Sequence, residues 1–367
     1  MAERLVFLLG KDPATSHGGD MTMFRTMRAI ASERFLTEVI CLSDQPELDE
    51  PDVVRVPKPG IALPELALRS MAGRRSLVHT RFDVDALRDA IDASSADRFV
   101  AEHSYMAESF LRAENKQPAE QLLVSTDVSE SSVWRRSRGL PGRIEVRRLR
   151  RDELRVAKDV HSIGGYDREE MDEYRTLGFD ARWLPISLPP ADRVPVADSP
   201  PRLVLLGNRE WRPNADAADT MVRLWPRIAA KVPDAELWLV GPRPAGPAPD
   251  LPPGVSDLGF VPDVDATLAG CRALAAPIAV GDGVRVKLLE AAARGLPVVA
   301  TPQAIGSIDS SLGMSPAQDE DDFVARCTAY LLDADAAAEE GVRLHDINTQ
   351  RWNDRVGQDA VLDWLDR

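Results

Sequence analysis

This chain has little from which to build a covalent or metallic framework. Its 367 residues include three cysteines, Cys41, Cys271 and Cys327, far apart and odd in number. That pattern excludes a disulfide scaffold and a thiolate metal cage, and predicts buried thiols in a reducing compartment. The five histidines show no metal-ligand spacing. Long apolar runs are missing as well. Leu5 to Leu9 is too short for a signal-peptide core or a membrane span, and no later run is long enough. A cytoplasmic location is therefore expected. Basic charge is in deficit, with 45 Lys and Arg against 59 Asp and Glu, a net −14 that repels nucleic acid.

What remains is the composition of a soluble globular protein, 44% apolar and 28% charged, long enough for two hydrophobic cores. "RLVFLLG", "TEVICLS", "DRFVAEHS" and "QLLVSTD" read as buried strands separated by helical stretches, including an amphipathic helix over Met21 to Glu33. The rhythm predicts a parallel sheet with helices on both faces. It stops over Trp183 to Arg202, where six prolines in twenty residues forbid a long helix. It restarts with "LVLLG", "ELWLVG", "ALAAPI" and "PVVAT". The expected organisation is an α/β unit over 1–190, a second over 191–345, and a C-terminal helix within 346–367. That helix would present Trp352, Val356, Ala360 and Trp364 as one stripe packing on the first unit. In such folds ligands sit at strand carboxyl ends, so a cleft between the units is the expected site. The segment from Arg135 to Lys158 stands apart, with ten basic and three acidic residues, a local +7. It reads either as a solvated helix or as a face for anionic lipid or an acidic acceptor.

The stretch "GDGVRVKLLEAAARGLPVVAT", Gly281 to Thr301, carries the strongest chemical signal. Gly281 and Gly283 permit close backbone approach, and the loop feeds a helix from Val284 to Arg294 whose N-terminus attracts anions. Lys287 sits in the first turn, a poor place for a cation unless an anion binds there. Glu290, one turn on, could accept hydrogen bonds from a ribose diol. A diphosphate at the loop with its ribose at Glu290 is one reading; a Lys287–Glu290 surface ion pair is the other. "GDGVRV" lacks the third glycine of a dinucleotide fingerprint, which argues against an NAD enzyme. The "DVD" triplets at Asp83 to Asp85 and Asp263 to Asp265 sit in no glycine-rich catalytic loop.

"LLEAAARGLPVV", Leu288 to Val299, resembles the donor-site signature of the retaining glycosyltransferases of family GT4, which have the GT-B fold. The resemblance places Gly281, Gly283, Arg285, Lys287 and Glu290 at the donor, with Asp282 where relatives carry a first glutamate. "HGGD" resembles the glycine-rich loop facing the donor phosphates, at Gly18 and Gly19. "AEHSYMAE" resembles the segment whose histidine lies beside the transferred sugar, here His103, which also reads as a buried structural histidine. Where relatives bind diphosphate with an Arg and a Lys, this chain has Asn208 and Pro213. Arg209 and Arg212 are nearby, and Lys287 could replace the missing charge. The implied activity is transfer of a sugar from a nucleotide diphosphate donor to an acceptor hydroxyl, with retention and without a metal or cofactor. Asp282 and His103 would contact the sugar. The expected partners are that donor and a small-molecule, glycan or lipid acceptor, with 135–158 a candidate for contact with the inner membrane face. The alternatives are a sugar-nucleotide 2-epimerase on the same scaffold and a non-catalytic sugar-nucleotide binder.

Overall fold

A computed structural model describes residues 3–137, 140–247, 249–279 and 285–367. The chain forms two compact units, Met1–Ile186 with Gln358–Arg367, and Ser187–Gly357. Buried apolar runs became strands. In the first unit these are β1 (Arg4–Leu9), β2 (Leu36–Ser43), β4 (Arg98–Glu102) and β5 (Leu122–Thr126). Every residue of β5 is buried, as a central strand covered on both faces requires. β3 (Val53–Pro57), β6 (Ser162–Gly165) and β7 (Ala181–Trp183) complete a seven-stranded parallel sheet in the order β3-β2-β1-β4-β5-β6-β7. The order reverses between β1 and β4, so the sheet's switch point opens at their carboxyl ends.

The second unit holds β8 (Arg202–Leu206), β9 (Glu236–Val240), β10 (Val255–Gly259), β11 (Ala273–Ala276) and β12 (Val298–Ala300). They form a parallel sheet in the order β10-β9-β8-β11-β12, whose switch point lies between β8 and β11. Two glycines bring the ends of β8 and β9 together. Gly241 has φ +118°, and a Cβ there would lie 2.1 Å from the Gly207 carbonyl oxygen.

The C-terminal region departs from the single stripe expected of it. One helix, Ala334–Asn353, ends before Arg355 at φ +57°, and a second runs Val356–Leu365. Asn353 and Asp354 are weak helix formers, and the left-handed Arg355 turns the chain. Val356 is consequently 40% exposed, and residues 346–357 belong to the second unit. The last helix belongs to the first unit, with Val361, Leu362, Trp364 and Leu365 buried. Trp364 lies over β6: a Cβ on Gly164 would be 2.8 Å from its ring, and its Nε1 donates to Ser162 Oγ at 3.2 Å.

The basic segment includes the Leu140–Asp159 helix, and several of its charges serve the interior. Arg148 donates to the carbonyl and hydroxyl of Ser70, both at 2.8 Å, and Arg155 to the fully buried Glu108. Asp152 accepts from the Ser76 amide at 2.6 Å, and Glu145 from Leu77, at the start of the Leu77–Arg81 helix. Burial holds the Glu108 carboxyl up at about 7 despite the guanidinium groups of Arg155 and Arg75. Ile144, Arg147, Arg151 and Lys158 form the exposed stripe. No helix among the described residues is long and apolar enough to cross a membrane.

Candidate functional site

At the switch point of the second unit, the loop after β8 meets the Val286–Ala293 helix that follows β11. Val286 and Leu289 anchor this helix in the core, which leaves Lys287 and Glu290 half-buried on another face. Lys287 Nζ donates to Asn214 Oδ1 at 2.8 Å, while Asn214 Nδ2 donates to the Asn208 carbonyl at 2.9 Å. The ammonium is thus held against the end of β8. There Gly207, at φ +152°, has no room for a side chain: a Cβ would lie 2.8 Å from Lys287 Nζ. Burial pulls the Lys287 amine down to about 7; Arg285 adds to the depression and Glu290 opposes it. Arg285 is buried immediately before the helix, its guanidinium carbon 5.8 Å from the Trp211 ring centroid. The first turn of the helix carries no acidic residue. Two cations therefore converge with the positive end of a helix dipole, a combination that favours a bound anion.

Arg209 and Arg212, the other cations expected at the phosphates, each have an acidic partner of their own. Arg209 is 5% exposed and donates to the Gly241 carbonyl at 2.7 Å and to Asp257 Oδ1 at 2.5 Å. A guanidinium that deep requires a carboxylate, and Asp257 on β10 supplies it. Burial would raise the Asp257 carboxyl, but hydrogen bonds from Arg209 and the Gly259 amide outweigh it and hold the group below its usual range. The Arg212 side chain is 69% exposed and pairs with Asp216 one turn along its own helix. Gly281, Asp282 and Gly283 lie outside the described residues. The sequence reading missed Asn214, Gly207 and Trp211; the "GNREWRPN" that follows β8 was the signal available.

The first unit has a second polar concentration, also at its switch point. Gly18, at φ +128°, precedes the Gly19–Ala31 helix, and Asp20 in its first turn pairs with Lys11 at 2.5 Å. Opposite, His103 follows β4 at φ +68° and ψ 152°, a region that L residues rarely enter. Its amide donates to the Ser125 carbonyl at 2.7 Å, and its ring stacks on Tyr105 with centroids 5.1 Å apart. Burial drops its imidazole to about 4, with Asp20 opposing and Lys11 adding, so the ring is neutral at physiological pH. His103 Nδ1 is buried with no hydrogen-bond partner. Beside it, burial raises Glu102 well above the carboxylate range and Asp127 to about 8, each reinforced by neighbouring acids. The sequence reading named neither.

Residues 200–333 match the family model of glycosyl transferases group 1. No curated protein matches the chain in sequence. Among solved structures, sucrose-phosphate synthase from Thermosynechococcus elongatus is 15% identical with a TM-score of 0.70, over 99% of this chain and 97% of that one. WaaG, a glycosyltransferase involved in lipopolysaccharide biosynthesis, is 13% identical with a TM-score of 0.67, over 97% and 98%. HepE from Anabaena, in complex with UDP and glucose, is 12% identical with a TM-score of 0.64, over 99% of each chain. At these identities the likeness is one of fold. The architecture, with its two parallel α/β sheets, is GT-B.

Proposed function

We propose that this chain is a glycosyltransferase of the GT4 kind, moving a sugar from a nucleotide diphosphate donor to an acceptor hydroxyl, with retention and without a metal. The observation that carries the reading is the meeting of Lys287, Arg285 and a helix N-terminus at the second unit's switch point, inside the segment that matches the glycosyl transferase family model. As the sugar leaves, negative charge grows on the diphosphate oxygens. Cations and amides already in place stabilise that charge more in the transition state than in the ground state. Losing one such contact costs roughly 3–4 kcal/mol of barrier.

In this reading Gly281 and Gly283 let backbone amides reach the diphosphate, Glu290 holds the ribose, and Asp282 holds sugar hydroxyls. Gly18 and Gly19, at the start of the Gly19–Ala31 helix, are proposed donor-binding residues by the likeness of "HGGD" to the family's glycine-rich loop. His103, as a neutral imidazole, hydrogen-bonds the sugar near the reacting bond. The UDP and glucose named with HepE support a nucleotide-sugar donor. The stripe of Arg147, Arg151 and Lys158 beside Ile144 is the proposed contact with anionic headgroups, and the proposed location is cytoplasmic.

A thermal-shift panel of UDP-, GDP-, ADP- and dTDP-sugars tests the donor. A ligand at 100 times its Kd adds about 2.7 kcal/mol of stability. Release of the diphosphate without added acceptor, unchanged by EDTA, is the expected second result, with the anomeric configuration of the product read by NMR. Conversion of the donor to its 2-epimer would assign an isomerase instead, and binding without turnover a non-catalytic binder.

A further inference from the structure

The Leu63–Ala72 helix of the first unit turns its apolar side away from the core. Only Leu66 and Ser70 are buried, and they lie one turn apart on one side. The opposite side carries Pro64, Leu68 and Met71, at i, i+4 and i+7, with Leu63 in the first turn. Leu63 is 78% exposed, Leu68 65% and Met71 63%. A surface helix ordinarily shows the reverse, apolar residues inward and charge outward. Here polar contacts fix the inner face. Arg148 donates to the Ser70 carbonyl and hydroxyl, and Arg151 to the Arg74 carbonyl, so the Leu140–Asp159 helix lies alongside. Ile144, one turn before Arg148, is 71% exposed and adds to the apolar surface.

Large apolar side chains gathered on two joined helices mark a surface that something covers. The charge around them says what. The Leu140–Asp159 helix buries the acids Glu145, Asp152 and Glu153 and leaves Arg147, Arg151 and Lys158 outside, with Asp159 at its C-terminal end. On the neighbouring helix and the turn after it, Arg69 and Arg74 are exposed against a single acid, Glu65. A chain of net charge −14 therefore rims its exposed apolar ridge with cations. A bilayer with anionic headgroups matches both features at once. Arginine and lysine reach the phosphates, while leucine and methionine enter the acyl boundary. At ten residues the helix is too short to span a membrane, so it would lie in the plane of the interface.

We infer that the Leu63–Ala72 helix is an in-plane anchor that inserts Leu63, Leu68 and Met71 into an anionic bilayer, with Arg69 and Arg74 on the headgroup phosphates. This deepens the proposed headgroup contact of Arg147, Arg151 and Lys158 and rests on it. The two contributions differ in kind: the basic stripe attracts through charge, which salt screens, and the apolar ridge holds by leaving water.

The three native cysteines are buried, so a cysteine placed on the surface of the full chain can be labelled selectively with a thiol-reactive NBD dye. Leu68→Cys and Met71→Cys, so labelled, should each shift to the blue and brighten on adding phosphatidylglycerol vesicles, and should be quenched by brominated acyl chains. Phosphatidylcholine vesicles should give a much weaker response. Leu332→Cys, as exposed as Leu68 but on the second unit, should give none. Leu68→Ser combined with Met71→Ser should lower the partition coefficient onto phosphatidylglycerol vesicles at least about tenfold. Its melting temperature and UDP affinity should be unchanged, because both side chains are exposed. Sedimentation of the wild type with vesicles but no dye response at 68 or 71 would overturn the insertion and leave the headgroup contact standing. A wild type that does not sediment at all would overturn both. A response that grows with protein concentration in the absence of vesicles would assign the ridge to self-association and overturn the inference.

Discussion

Lys287 allows the proposed donor site to be tested without altering any residue. Burial and Arg285 hold its amine at about 7, far below an ordinary lysine, and among the described residues it donates to the neutral Asn214. A diphosphate needs the ammonium form and would restore it, so binding takes up a proton and affinity must fall as pH rises. With the amine at about 7, half of the ligand-free protein is protonated at pH 7 and about one part in 33 at pH 8.5. If the bound amine stays charged, Kd for UDP rises by at most about 16-fold across that interval, roughly 1.6 kcal/mol. The nucleotide's terminal phosphate is already ionised over this range, so it contributes little to the slope. Stability of the ligand-free protein should move the opposite way. The unfolded lysine holds its proton up to its ordinary value, so this group's contribution rises with pH from 7 toward 10.5. Calorimetric titration of UDP at pH 7.0, 7.75 and 8.5 measures the binding slope. Lys287→Met should bind more weakly at pH 7 and show a flat profile. A Met variant with the wild-type slope, or a wild type whose affinity grows with pH, would refute the assignment of Lys287 to the diphosphate.

Gly241→Ala combines a positive φ with a contact of 2.1 Å to the Gly207 oxygen, and should destabilise the second unit by about 3 kcal/mol or more in urea unfolding. His103→Gly should be more stable than His103→Ala by about 1 kcal/mol or more, because glycine alone relaxes at φ +68°. Both should lose transfer activity, and equal stability of the two would show that the backbone there is unstrained. Arg147→Glu with Arg151→Glu should abolish sedimentation with phosphatidylglycerol vesicles at low salt without changing UDP affinity. Unchanged sedimentation would remove membrane contact from the basic stripe.

How much of this was legible depends on where each interaction reaches. β1, β2, β4, β5, β8, β9, β11 and β12 could be read directly, because strands of a covered parallel sheet are buried on both faces over most of their length and carry short apolar runs. β6 could not: "SIGG" has the small residues that Trp364 demands, and Trp364 is about 200 residues away. The cation-bearing helix start was legible as far as it lies within one helix, where Lys287 and Glu290 are linked by local spacing. Arg209 shows the limit. Its position in the chain is right for phosphate, but Asp257, 48 residues on, takes its charge inside. Asn214, 73 residues from Lys287, is an ordinary helix-start asparagine until the β8–β11 crossover brings it to the amine. The first unit's buried acids are the extreme case. Glu102 and Asp127 occur singly in unremarkable surroundings, and only the parallel register of β4 and β5 assembles them. Local periodicity and helix-end chemistry are properties of neighbouring residues, so the sequence alone determined two parallel α/β units and a cation-bearing helix start. Charge partners, strain at His103 and its orphaned ring nitrogen depend on which strand lies beside which, and the tertiary structure alone decided that.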